Sequence, residues 1–113
     1  MDTFEYEYIL DGFNPSKFKY PKPAIFLDRD GVIIEDKHYI SDPFDVKLEI
    51  GLKHFFSQIS KFNLPIVVVT NQSGISRGMF TWDDYNKVTE RMIDLVGKPS
   101  PIIAIYANSH LKV

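Results

Sequence analysis

The sequence contains no cysteine, which excludes disulfides and thiolate metal sites and fits a reducing compartment. No apolar run approaches the roughly 20 residues that a membrane-spanning helix requires. The first residues carry acids and aromatics and lack the basic start and apolar stretch of a secretory signal. An excess of one charge is missing too. Thirteen basic side chains stand against 15 acidic ones, so no broad basic surface exists to attract nucleic acid or an anionic membrane. A soluble, cytoplasmic protein is expected, with neither nucleic acid nor membrane as a partner. An anionic ligand would have to be held by local groups or by a metal ion.

What is present suits one small domain. The chain has 113 residues, 44% of them hydrophobic, and its nine Phe, six Tyr and single Trp provide material for a core. Residues 1–23 read as a leader. Asp11-Gly12 and Asn14-Pro15 mark turns in it, Pro21 and Pro23 bracket an extended approach, and the aromatics alternating with acids near Phe4 to Ile9 suit an edge strand or packed arm, with a loosely ordered extension as the equal alternative. The domain proper is expected over 24–113.

Ala24–Leu27 is an unbroken apolar run closed by Asp28 and Gly31, the pattern of a strand covered on both faces. Residues 32–50 read as turn and loop, with a short strand at Val46–Leu48. Leu52, Phe55, Phe56, Ile59 and Phe62 recur at helical spacing until Asn63 and Pro65 stop them. Ile66–Thr70 is a second buried strand, and Asn71–Gly78 a polar loop. Thr81 and Asp84 suit the start of a helix that ends near Gly97, and Ile102–Tyr106 is a third strand. Alternating strands and helices predict an α/β fold, a Rossmann-like parallel sheet with flanking helices.

In such sheets, ligands collect at the carboxyl ends of the strands. The two polar strand ends here are Asp28-Arg29-Asp30-Gly31 and Thr70-Asn71-Gln72-Ser73-Gly74. Carboxylates two residues apart on extended backbone point the same way, and a cation offsets their repulsion. Mg²⁺ suits such oxygen ligands. Asp28 can then attack phosphorus while Asp30 serves as general acid, with the Thr70 hydroxyl and nearby N–H groups holding phosphate oxygens. A lone Asp-x-Asp is more often an ordinary turn. The second polar strand end is what argues against that here.

Phe26-Leu27-Asp28-Arg29-Asp30-Gly31 resembles the first motif of haloacid dehalogenase-like phosphatases. Val67 to Gly78, which contains Thr70-Asn71-Gln72-Ser73-Gly74-Ile75-Ser76-Arg77, is similar to the second motif. Its longer form resembles the subgroup of D-glycero-D-manno-heptose 1,7-bisphosphate and histidinol-phosphate phosphatases. The resemblance spans roughly residues 24–106 and implies the following roles. Asp28 is the nucleophile and Asp30 the general acid/base, with Mg²⁺ on the Asp28 carboxylate and the Asp30 carbonyl. Thr70 and Asn71 bind the phosphoryl group, and Ser73 and Arg77 lie near the substrate. The implied reaction is hydrolysis of a small phosphorylated metabolite of the sugar bisphosphate kind.

The departures from that family carry weight. Its third motif, a lysine before a proline, and its later acids follow the third strand, whereas Lys98-Pro99 here precedes it and reads as a helix stop. The expectation is therefore the N-terminal half of a phosphatase domain, truncated after the third core strand and inactive alone, with Ala24–Leu27 left as an edge prone to self-association. Phe4–Ile9 is the segment available to cover that edge. No cysteines occur where the heptose enzymes tend to carry a zinc loop, so zinc is not expected, and His110 reads as an exposed terminal residue. His54 reads as surface, and His38 as a loop residue with substrate contact as the alternative. The competing function is a non-catalytic phosphate-binding or assembly module. A receiver-type signalling domain fits poorly, and no nucleotide-binding glycine motif occurs.

Overall fold

The computed structural model describes the backbone of residues 6–9 and all of residues 23–111. Most of the leader, Tyr20 and its turn signals included, lies outside the described residues. The described elements are β1 (Tyr6–Ile9), β2 (Ile25–Leu27), a 3₁₀ turn (Pro43–Asp45), α1 (Leu52–Ser60), β3 (Ile66–Asn71), α2 (Ser73–Ser76), α3 (Trp82–Val96) and β4 (Ile102–Asn108).

The sheet runs in the order β1-β4-β3-β2. β2, β3 and β4 are parallel, while β1 joins β4 antiparallel, with Tyr6 opposite Ala107 and Ile9 opposite Ala104. The expected parallel sheet is therefore present, with an additional antiparallel strand drawn from the leader. That strand does not cover β2, as expected of Phe4–Ile9. It pairs with the opposite edge of the sheet, where β4 offers a longer ladder than the three residues of β2.

Strand register decides what is buried. The rows Ile25–Ile66–Ile102 and Leu27–Val68–Ile105 face one way, and Leu52 and Phe56 of α1 and Val88 and Met92 of α3 pack onto them. The alternate row, Phe26–Val67–Ala104, faces the other way. Phe26 is 68% exposed, so β2 is not the doubly covered strand its composition implied. Both long helices contribute to the same core, and no described helix packs over Phe26. The expected strand at Val46–Leu48 is also replaced. A 3₁₀ turn ends just before it and is capped by Val46, with the Asp42 carboxylate accepting from the Phe44 N–H at 2.9 Å, and Leu48 makes only an isolated bridge to Ile34.

Helix boundaries follow local chemistry. Asn63, with φ 53°, stops the chain beyond α1, and Gly97 caps α3. The Thr81 hydroxyl accepts from the Asp84 N–H at 3.1 Å, and the Asp84 carboxylate accepts from the Thr81 N–H at 2.9 Å. This reciprocal box fixes the start of α3 with Asp in place of the usual Glu. The Thr81 N–H holds the Asp84 carboxyl below its ordinary range.

Candidate active site

Parallel pairing of β2 and β3, with Leu27 opposite Val68, carries Asp28–Gly31 and Thr70–Gly74 to one edge of the sheet. Beyond β2 the chain turns sharply. The Arg29 carbonyl accepts from the Ile33 and Ile34 N–H groups at 2.9 and 3.1 Å, while Gly31 adopts φ 81° and donates to the Ile34 carbonyl at 2.8 Å. A side chain would be strained at that φ, which is why glycine stands there. Beyond β3, the expected polar loop is broken by α2, a single helical turn at Ser73–Ser76.

Between these ends lies an open cavity of about 200 Å³, lined by Asp30, His38, Tyr39, Asn71, Gln72 and Ser73 among others. Two side chains tie its floor together. The Gln72 amide donates to Asp30 Oδ2 at 2.9 Å and to Thr70 Oγ1 at 2.8 Å, so one side chain couples the two motifs. Arg29 is fully buried beneath and clamps the Asp30 carboxylate, with Nε 3.3 Å from Oδ1 and one terminal nitrogen 3.1 Å from each oxygen. Its guanidinium also lies 5.1 Å from the centre of the Tyr85 ring.

No model of a known protein family matches the sequence. Individual proteins do. Over 74 residues the chain is 43% identical to the D-glycero-beta-D-manno-heptose-1,7-bisphosphate 7-phosphatase of Mesorhizobium japonicum, a match covering 66% of this chain and 34% of that enzyme. A solved HAD-like phosphatase from Mesorhizobium loti superposes with a TM-score of 0.81 at 32% identity, over 94% of this chain and 50% of that one. The D,D-heptose 1,7-bisphosphate phosphatase of B. bronchiseptica, solved with magnesium and phosphate, gives 0.66 at 26% identity over 79% and 51%. Over the residues matched, the chain is similar to haloacid dehalogenase-like phosphatases of the heptose bisphosphate phosphatase family. It matches about a third to a half of the length of these relatives.

The expected site residues fall into three groups. Asp30, Asn71 and Ser73 line the cavity. Asp28 and Thr70 sit beside it: Asp28 is exposed and accepts from the Arg29 N–H at 2.7 Å, and Thr70 is buried behind Gln72. Arg77 stands apart, exposed at the C-terminal cap of α2. Asn71 is turned toward β4, its amide donating to Asn108 Oδ1 at 3.0 Å and to the His110 carbonyl at 3.1 Å. Both of its side-chain N–H bonds are thus engaged away from a phosphate. Among the described residues, no group of three or more His, Asp or Glu side chains could hold a metal.

Sequence reasoning overlooked Arg29 and Gln72 as working parts. A signal for Arg29 existed, since side chains alternate along extended backbone and a residue between two site-facing acids must point into the protein. An arginine pointing inward needs a carboxylate, and Asp30 is the nearest one. Gln72 carried no comparable signal, because its role depends on how far β2 and β3 extend beside each other.

Proposed function

We propose that this chain supplies the nucleophile-bearing part of a magnesium-dependent phosphomonoester hydrolase, acting on a small phosphorylated metabolite of the sugar bisphosphate class. The supporting observation is the Gln72 bridge, which joins Asp30 of the first strand end to Thr70 of the second beside a cavity of phosphate-binding size. In this reading a carboxylate oxygen of Asp28 forms a bond to phosphorus as the bond to the leaving oxygen breaks. The leaving oxygen takes a proton from Asp30. Water then cleaves the aspartyl-phosphate, and Asp30 recovers a proton from that water. Thr70 and Ser73 hold phosphate oxygens, with Arg77 reaching toward the rest of the substrate.

The oxygen donors suit magnesium. Asp28, exposed at the strand end, and the Asp30 carbonyl would hold the ion, which supplies charge neutralisation for the phosphoryl group. One carboxylate and one carbonyl make a weak site. The domain assignment in this reading is a leader over 1–23, which lends β1 to the sheet, and the N-terminal half of a phosphatase domain over 24–113.

Binding tests the reading directly. Inorganic phosphate with Mg²⁺ is expected to bind the chain weakly, and Asp28→Asn should abolish the Mg²⁺ dependence of that binding in calorimetry. Phosphate binding indifferent to both Mg²⁺ and Asp28 would favour the non-catalytic phosphate-binding or assembly module instead.

Self-association belongs to the same proposal. No described strand pairs with the outer side of β2, and exposed Phe26 stands on it. An unpaired apolar edge templates strand addition. Sedimentation across a concentration series should show dimers that Phe26→Lys reduces, and a parent chain monomeric at all concentrations would discount this edge.

A further inference from the structure

The reaction above asks Thr70 to hold a phosphate oxygen, yet Thr70 does not line the cavity. It is 2% exposed, and Gln72, which does line the cavity, stands in front of it. The Gln72 amide nitrogen donates to Thr70 Oγ1 at 2.8 Å and to Asp30 Oδ2 at 2.9 Å, which engages both of its N–H bonds. One side chain therefore covers two groups that the reaction needs.

Asp30 has no other opening. A carboxylate offers about four acceptor positions. Arg29 contacts take three of them, from Nε to Oδ1 and from one terminal nitrogen to each oxygen, and Gln72 takes the fourth. Arg29 is fully buried and holds from beneath, so a group in the cavity gains Asp30 only where Gln72 gives way. The backbone of Gln72 is anchored. Its N–H donates to the Asn108 carbonyl at 2.7 Å, and its carbonyl accepts from the Ile75 N–H at 3.1 Å. What can move is the side chain, and the open cavity of about 200 Å³ beside it leaves room to turn.

We propose that Gln72 is a positioning residue that gates the phosphate site: its amide bridges Thr70 and Asp30 and swings aside when a phosphoryl group reaches Thr70. One displacement frees both groups together, the hydroxyl that holds a phosphate oxygen and the carboxylate oxygen that faces the leaving group. The proposal rests on the phosphatase reading above and adds to it a coupling between occupancy of the site and release of Asp30.

The gate makes phosphate break two hydrogen bonds, one of them to a carboxylate, before it can bind. Removing the amide removes that cost. Gln72→Ala and the similarly long Gln72→Met are therefore expected to bind inorganic phosphate, with Mg²⁺, about tenfold more tightly than the parent chain in calorimetry. A bridge that only supports the fold predicts the opposite, since its loss would loosen Asp30 and Thr70 and weaken binding. The parent chain offers a second readout that needs no variant. In proton–nitrogen correlation spectra, the Gln72 side-chain amide signals should shift as inorganic phosphate and Mg²⁺ are added. An affinity unchanged or lower in either variant that folds, or Gln72 amide signals that saturating phosphate leaves in place, would overturn the gate while the site reading stands. Phosphate binding to neither the parent nor the variants would overturn both.

Discussion

Asp30→Ala should cost the fold about 3–5 kcal/mol, far more than Asp28→Ala, although the two acids are two residues apart in one motif. The difference is Arg29. Its side chain is 1% exposed and its carboxylate partner is Asp30, which it meets with two nitrogens. Arginine keeps its charge at any pH a protein survives, so removal of the Asp30 carboxylate leaves a cation buried among apolar groups. The Tyr85 ring offsets only part of that. Another terminal nitrogen of Arg29 already has no hydrogen-bond partner among the described residues, which leaves no reserve. Asp28 is exposed and loses one backbone hydrogen bond. Urea unfolding of the two variants would compare them, with Arg29→Met as a third. Replacing the cation by an apolar side chain should be milder than stranding it. Equal, small losses in both alanine variants would mean that the Arg29–Asp30 pair is not the support described here.

The purified 113-residue chain should hydrolyse sugar phosphates at least about 10²-fold more slowly than a relative such as the B. bronchiseptica enzyme, since each missing electrostatic contact to the transferring group is worth about that much. The transferring phosphoryl group needs positive charge around it. The one permanently charged cation on the cavity wall, Arg29, faces Asp30 from beneath. Lys98-Pro99, which imitates the lysine motif of this family, lies before β4 and so at the end of the sheet away from the cavity. Phosphate release with Mg²⁺ under saturating substrate would measure the deficit. Rapid turnover abolished by Asp28→Asn would show that the residues present suffice.

The elements of this fold were largely legible because local rules govern them. Continuous apolar runs marked β2, β3 and β4, helical spacing from Leu52 marked α1, and Thr81 with Asp84 marked the start of α3. The elements that were missed are short ones. The 3₁₀ turn at Pro43–Asp45 and the single turn of α2 hold too few residues to display a period. β1 was legible only as an alternative, and its partner was not legible at all. Which edge a strand joins depends on the ladder that edge offers, and β4 lies about a hundred residues further along the chain.

By itself, then, the sequence determined the α/β class, the parallel core and the two strand ends that carry the polar motifs. Backbone periodicity and turn chemistry act within a few residues, so one sequence can display them. Tertiary structure alone decided how those motif residues are used. It left Phe26 exposed because both long helices pack on the opposite face, and it turned Asn71 toward Asn108. It buried Arg29 under Asp30, placed Gln72 between Asp30 and Thr70, and brought His38 to the mouth of the cavity. Each of these depends on the distance between segments far apart in the chain, which is set by sheet register and helix packing rather than by the identity of neighbours.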